Sequence, residues 1–306
     1  MPMRRLVLHL GAHRTGTTSL QAALDHAQTP LHDAGVVALV PPRPGQRKGK
    51  WLRAHYGAHQ RRYARASRFL PGRVWVAPLV LRRFRRQLET RVDPRCQTLI
   101  LSEEEFLGAV FDRRYKMEIY PHLDSSLWLL SRFARTQPTT IFLGIRSYAE
   151  FCLSAYLMTC IYGLRTSDFA PVTPASVDTH GGWVRVVTTI RRLFPDALLT
   201  VWPHETFDLA ARFTRLTGCK GDLIANFPQT AALNASPTTE AIAAVRALAA
   251  LRTPTKEECD ELIEKHRDGT RPRVSEVFSS AEIESLHEIY ARHLKILAAL
   301  PGVTMA

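Results

Sequence analysis

The chain offers no cysteine framework: Cys96, Cys152, Cys160, Cys219 and Cys259 are scattered, odd in number and nowhere paired as C-x-x-C. A disulfide-stapled secreted scaffold is excluded, and reduced thiols in a cytoplasmic protein are expected. The histidines make no zinc-like cluster with these thiols, so no metal is expected. With 16 glycines and 19 prolines in 306 residues, the chain is neither collagen-like nor of low complexity. No apolar run approaches the ~20 residues of a membrane span. The basic N-terminus leads only to a short run, Leu6–Leu10, which His9 interrupts, so no export signal is expected.

Acids are almost missing from one stretch. Between Arg43 and Arg91 stand fifteen Lys and Arg residues and a single acid, Glu89, while the whole chain carries a formal charge of +13. The excess is therefore local and the remainder is close to neutral. Such a field attracts an anion: a nucleotide, an acidic glycan, nucleic acid or an anionic lipid surface. A solvated basic helix pair is the plainer reading of the same residues. Stacking platforms are few apart from Trp51, Tyr56 and Tyr63, which disfavours nucleic acid.

What the sequence does hold is alternation. Nearly continuous apolar runs at Arg5–Leu10, Val36–Val40, Thr98–Leu101, Thr140–Ile145 and Leu198–Trp202 read as strands covered on both faces. Helical patterns lie between them, at Thr18–His26, Leu52–Ser67, Leu79–Arg91, up to Phe133, Ala149–Tyr162, Trp183–Leu193 and Phe207–Leu216. This order predicts an α/β fold with a mainly parallel five-stranded sheet flanked by helices. One domain over residues 1–306 is expected, with a basic helical insert at 41–95 and a helical C-terminal region at 236–300. Pro41–Lys50 reads as a loop, Thr238 as a helix cap, and Ser279 with Glu282 as a capping box.

Residues 5 to 21, RLVLHLGAHRTGTTSLQ, run strand, glycine loop, helix. Glycines let successive N–H groups turn toward one anion at a helix N-terminus. The spacing from Gly11 to Gly16 matches a Walker-type loop, but Thr17 stands where that loop requires lysine. Arg14 supplies the cation instead, and Thr17, Thr18 and Ser19 supply hydroxyls.

A second string, Ile141-Phe-Leu-Gly-Ile-Arg146 running on to Ser154, sets an arginine at a strand end and a serine eight residues later on the next helix. A dianionic phosphate is well served by a guanidinium and a hydroxyl at such a junction.

Together these strings resemble the sulfotransferases that use 3′-phosphoadenosine-5′-phosphosulfate (PAPS), the bacterial branch in particular, over residues 5–207. The resemblance implies a P-loop kinase-like fold. It also implies a 5′-phosphosulfate loop formed by Arg14, Thr15, Gly16, Thr17, Thr18 and Ser19, and a 3′-phosphate site at Arg146 and Ser154. Arg14 stands where the family has lysine, a planar fork in place of a point charge. Val201–Phe207 is similar to the family's strand and acidic turn, of structural role, and Arg271 or Arg273 lies where a basic loop closes over the 3′-phosphate.

Sulfuryl transfer needs a proton acceptor, and the third predicted strand ends in Ser102-Glu103-Glu104-Glu105. The resemblance aligns Glu104 with the family's acid. Glu103 stands in reserve and His13, His55 and His59 compete. The run also suits a helix N-terminus with no chemistry in it. The expected reaction is a direct in-line displacement without metal, Arg14 and Thr17 or Thr18 holding charge on the leaving oxygen. The acceptor is a hydroxyl, of an anionic saccharide or glycolipid on the charge argument, with peripheral membrane contact open. The rival readings are a P-loop nucleotide-binding kinase-like enzyme and a basic polyanion- or membrane-surface-binding protein.

Overall fold

A computed structural model describes residues 5–41, 56, 76–93, 95–110, 118–162, 173–227 and 236–306. The expected helix Leu52–Ser67, apart from Tyr56, lies outside the described residues, as does the loop after Pro41; so do His55, His59, Arg61, Arg62 and Arg65.

Strands β1 (Arg5–His9), β2 (Val36–Leu39), β3 (Thr98–Ser102), β4 (Thr139–Ile145), β5 (Leu198–Pro203) and β6 (Val303–Met305) form one sheet in the order β2-β3-β1-β4-β5-β6. Every pairing is parallel. Five strands were expected, and six stand among the described residues. The three-residue β6 is too short for any periodicity to announce it, and it follows the helical region expected at 236–300.

Alternation along the central strand divides the core. Leu6 and Leu8 of β1 point into one apolar layer with Ile141, Leu143 and Ile145 of β4. Val7 points the other way, with Phe142 and Ile100. Successive side chains leave opposite faces of a strand, so a strand apolar at every position must be covered twice. Helix α1 (Thr17–His26) covers the second face through Leu20, Ala23 and Leu24.

Helices α2 (Gln28–Asp33) and α3 (Val76–Glu89) precede β3, and α4 (Leu123–Ala134) follows it. Then α5 (Tyr148–Tyr162), α6 (Pro174–Thr179) and α7 (Gly182–Leu193) connect β4 to β5. After α8 (Leu209–Thr217) come α9 (Thr239–Leu251), α10 (Lys256–Lys265) and α11 (Ser280–Ala299). Thr238 caps α9, and Ser279 with Glu282 forms the capping box of α11, as the sequence suggested. Leu286, Ile289 and Leu297 of α11 enter the same core layer as Leu6 and Leu8. Among the described residues no helix is long and apolar enough to cross a membrane.

Candidate functional site

The strand ends β3, β1 and β4 meet at the glycine loop, because β1 lies between the other two. The loop is pinned to β4 by backbone bonds from Leu10 N–H to Phe142 O (2.8 Å) and Ala12 N–H to Gly144 O (3.3 Å). Its curvature needs glycine for two separate reasons. Gly16 has φ 82°, the left-handed region, and a Cβ there would lie 2.6 Å from the Phe207 ring. A Cβ on Gly11 would lie 2.0 Å from the Thr17 hydroxyl. Arg14 is also left-handed, at φ 69°, an uncommon conformation for a residue with a side chain.

The hydroxyls of the loop divide. Thr15 Oγ1 donates to Ala12 O at 2.7 Å, and Thr17 Oγ1 lies 3.4 Å from the same carbonyl; both residues are buried. These two hydroxyls stabilise the turn from inside. Thr17, expected as a hydroxyl donor of the loop, thus has its hydroxyl near the loop's own Ala12 carbonyl in the structure. Thr18 and Ser19, in the first turn of α1, are half-buried.

Arg14 links the two motifs. Its Nε donates to Ser154 Oγ at 2.6 Å and its Nη2 to Ser236 Oγ at 3.1 Å. Arg146 Nη1 in turn donates to the backbone carbonyl of Arg14 at 3.2 Å. Both predicted anion-binding strings therefore converge on one point of the fold. Burial lowers the Arg146 pKa, while Glu150 and Glu205 oppose that shift. Arg146 also lines a cavity of about 380 Å³ with Ser147, Glu150, His204, Glu205, His287 and Tyr290. Glu205 holds this wall together, accepting from Ser147 N–H at 2.8 Å and from the Tyr290 hydroxyl at 2.9 Å.

Compared with known protein families, the chain matches no family model, and no curated protein matches it either. The site's chemistry is read from its geometry.

The three glutamates after β3 have separate fates. Glu103 is fully buried and caps the short turn Glu104–Leu107, its Oε1 accepting from Glu105 N–H at 3.3 Å. Glu105 is exposed. Glu104 is part-buried and its Oε2 lies 4.0 Å from His13 Nε2. The capping reading of this run thus falls on Glu103. The turn is seated by Phe106, whose ring meets Tyr56 edge-on at 4.7 Å. Arg271 and Arg273 are exposed and bond within their own segment, to Arg267 O and toward Glu276.

Three supporting residues escaped the sequence reading. Ser236, which holds Arg14, follows a segment with no regular pattern. Beneath the loop, His9 Nδ1 lies 2.8 Å from Ser102 Oγ, to which Gln21 Nε2 donates at 3.1 Å. Burial, with Arg212 nearby, pushes the His9 pKa down to about 3, so the imidazole is neutral. Arg212 is buried, donates to Pro203 O at 2.6 Å, and lies under the rings of Trp202 and Phe207. A signal for it existed: Leu209, Arg212, Phe213 and Leu216 make one helical stripe with an arginine in it.

Proposed function

We propose that the protein is a PAPS-dependent sulfotransferase on a P-loop kinase-like sheet, moving a sulfuryl group to a hydroxyl of an anionic saccharide or glycolipid. The observation that carries this reading is the junction of the two anion motifs, Arg14 with Ser154 and Arg146 with the Arg14 carbonyl. Two cationic side chains and a hydroxyl within one nucleotide's reach suit a ligand that bears phosphate at both the 3′ and 5′ positions. A nucleoside triphosphate needs only one such cradle.

In the reaction, an acceptor hydroxyl oxygen attacks the sulfur in line. The new O–S bond forms as the bond between sulfur and the 5′-phosphate oxygen breaks, its electron pair leaving on 3′,5′-diphosphoadenosine. The hydroxyl proton passes to the Glu104 carboxylate. Arg14 and the N–H groups at the start of α1 offset the charge that grows on the leaving phosphate. The test is thermal unfolding of the protein with 3′,5′-diphosphoadenosine beside ATP–magnesium and AMP. A rise in Tm with the first alone supports the reading. A rise with ATP–magnesium alone favours the kinase-like alternative.

A further inference from the structure

Helix α3 turns one side to the core and arginines to the outside. Val80, Phe84 and Leu88 are buried in the main apolar layer. Arg82, Arg83 and Arg86 are exposed, and Leu79, 68% exposed, shares a stripe with Arg83 and Arg86 at i, i+4 and i+7. We propose that this face docks on an anionic lipid surface, its guanidinium groups on headgroup phosphates and Leu79 at the edge of the acyl region. The docking face stands apart from the sulfotransferase reading; only the glycolipid form of that reading's acceptor rests on both.

The cations extend onto the neighbouring helix. The Phe84 ring meets Phe133 of α4 edge-on at 5.4 Å, and Arg85 Nη2 donates to Thr136 Oγ1 at 2.9 Å, just past the end of α4. Arg132 and Arg135, close to that bond in the chain, are exposed. Two packed helices thus bring their arginines together. Among the described residues no acid pairs with Arg82, Arg83, Arg86, Arg132 or Arg135: Asp93 is held by His32 and Arg95, and Asp124 by Arg192. Glu89 is the single acid between Arg43 and Arg91, so the stretch of sequence leading into α3 has none to offer.

An unopposed row of this kind destabilises its own helix. Arg82 with Arg86 stands at i, i+4, and Arg82 with Arg85 and Arg83 with Arg86 at i, i+3, the spacings at which like charges repel on a helix surface. Solubility alone is served by charges of both signs interspersed. A layer of anionic headgroups removes the repulsion, and the guanidinium fork matches the geometry of phosphate oxygens.

Leu79 separates a lipid surface from the other polyanions. An acidic glycan offers an exposed leucine little apolar surface, whereas a bilayer takes up both the leucine and the arginine stems beneath its phosphates. Nucleic acid calls for stacking side chains, and the only aromatic of α3, Phe84, is buried. The place of the face in the fold suits a lipid-borne acceptor. Phe84 on its inner side meets Tyr56 at 6.0 Å between ring centres, and Tyr56 meets Phe106, in the turn that carries Glu104, at 4.7 Å. A short series of packed rings thus joins the lipid-facing helix to the segment of the proposed base.

The test is co-sedimentation of the full-length protein with vesicles of phosphatidylcholine alone or mixed with phosphatidylglycerol. Binding to the mixed vesicles only, weakening as salt rises, is expected. In a variant combining Arg82→Glu, Arg83→Glu and Arg86→Glu, vesicle affinity should fall by roughly tenfold or more with Tm unchanged. If that variant melts early, Arg82→Gln, Arg83→Gln and Arg86→Gln together should lower the affinity in the same direction. Leu79→Ser should weaken vesicle binding and leave binding of soluble heparin unchanged. No binding to the mixed vesicles, or equal binding by wild type and the arginine variants, overturns the proposal. So does a Leu79→Ser protein that binds vesicles and heparin as the wild type does, which assigns the face to a soluble polyanion. Vesicle binding by a protein whose Tm ignores 3′,5′-diphosphoadenosine would sink the sulfotransferase reading and leave the docking face standing.

Discussion

Arg14 Nε donates to the hydroxyl of Ser154 at 2.6 Å, across 140 positions of sequence. The loop cation expected at a 5′-phosphosulfate is thus held by the serine expected at a 3′-phosphate. A charge-assisted bond of this kind orients the guanidinium before any ligand arrives. It also means that an anion at either place competes for, or reinforces, the same contact.

Arg146→Ala should remove discrimination between 3′,5′-diphosphoadenosine and AMP. In the wild-type protein, stabilisation by the diphosphate should reach about 2.7 kcal/mol at a hundredfold excess over Kd. In the variant, both nucleotides should give equal shifts in Tm. Retained selectivity would place the 3′-phosphate elsewhere.

Glu104→Gln should lower kcat by roughly 10²–10⁴-fold while leaving the Kd for 3′,5′-diphosphoadenosine unchanged. Isothermal titration checks the binding and transfer of labelled sulfate the turnover. Full activity in the variant would exclude Glu104 as base.

Gly16→Ala adds a methyl group against Phe207 at a positive-φ position. A cost of about 1–3 kcal/mol is expected from the backbone conformation, read as a lower urea midpoint. Gly16→Ala with Phe207→Leu should recover part of that loss if the ring contact contributes. No recovery assigns the whole cost to φ.

His9 makes stability depend on pH with a definite sign. Its folded pKa, about 3, lies below the ordinary histidine value of 6.5, so between these values the unfolded chain binds more protons. Stability should be fully present above about pH 6.5 and fall as the pH drops toward 3, by at most about 1.4 kcal/mol per pH unit from this one group. Urea unfolding of wild type and His9→Gln from pH 4 to 7 measures the difference. Parallel curves would show that His9 is not the titrating group.

Reversing Arg61, Arg62 and Arg65 to glutamate should raise the acceptor's KM and leave donor affinity unchanged. The prediction comes from charge: fifteen cations against one acid between Arg43 and Arg91. Acceptor kinetics that do not respond would remove the anionic-acceptor proposal.

The strands were legible because each is apolar at almost every position, and a buried parallel strand leaves few other readings. The loop was legible from Gly11 and Gly16. Contacts set by tertiary geometry were not. Nothing in the local pattern says that Arg14 meets Ser236, or that Tyr120 reaches back to His13 over 107 positions. The glutamate run shows the limit well: the resemblance put Glu104 first and Glu103 in reserve, but only the path of the chain after β3 shows Glu103 buried and capping a turn and Glu104 beside His13. Strand β6 was missed because three residues carry no period, and Arg212 because an arginine in an apolar stripe reads as a break in the pattern.

Phe207 packs against Gly16 and carries the Arg212 guanidinium 4.5 Å from its ring centre. The glycine loop therefore rests on a keel supplied by the turn between β5 and α8 and by Arg212 of α8, well outside its own stretch of chain. A tilt of α8 would be felt at the loop as a change of curvature, with no residue of the loop altered. Substitutions along the buried stripe of that helix can thus mistune the cradle from below.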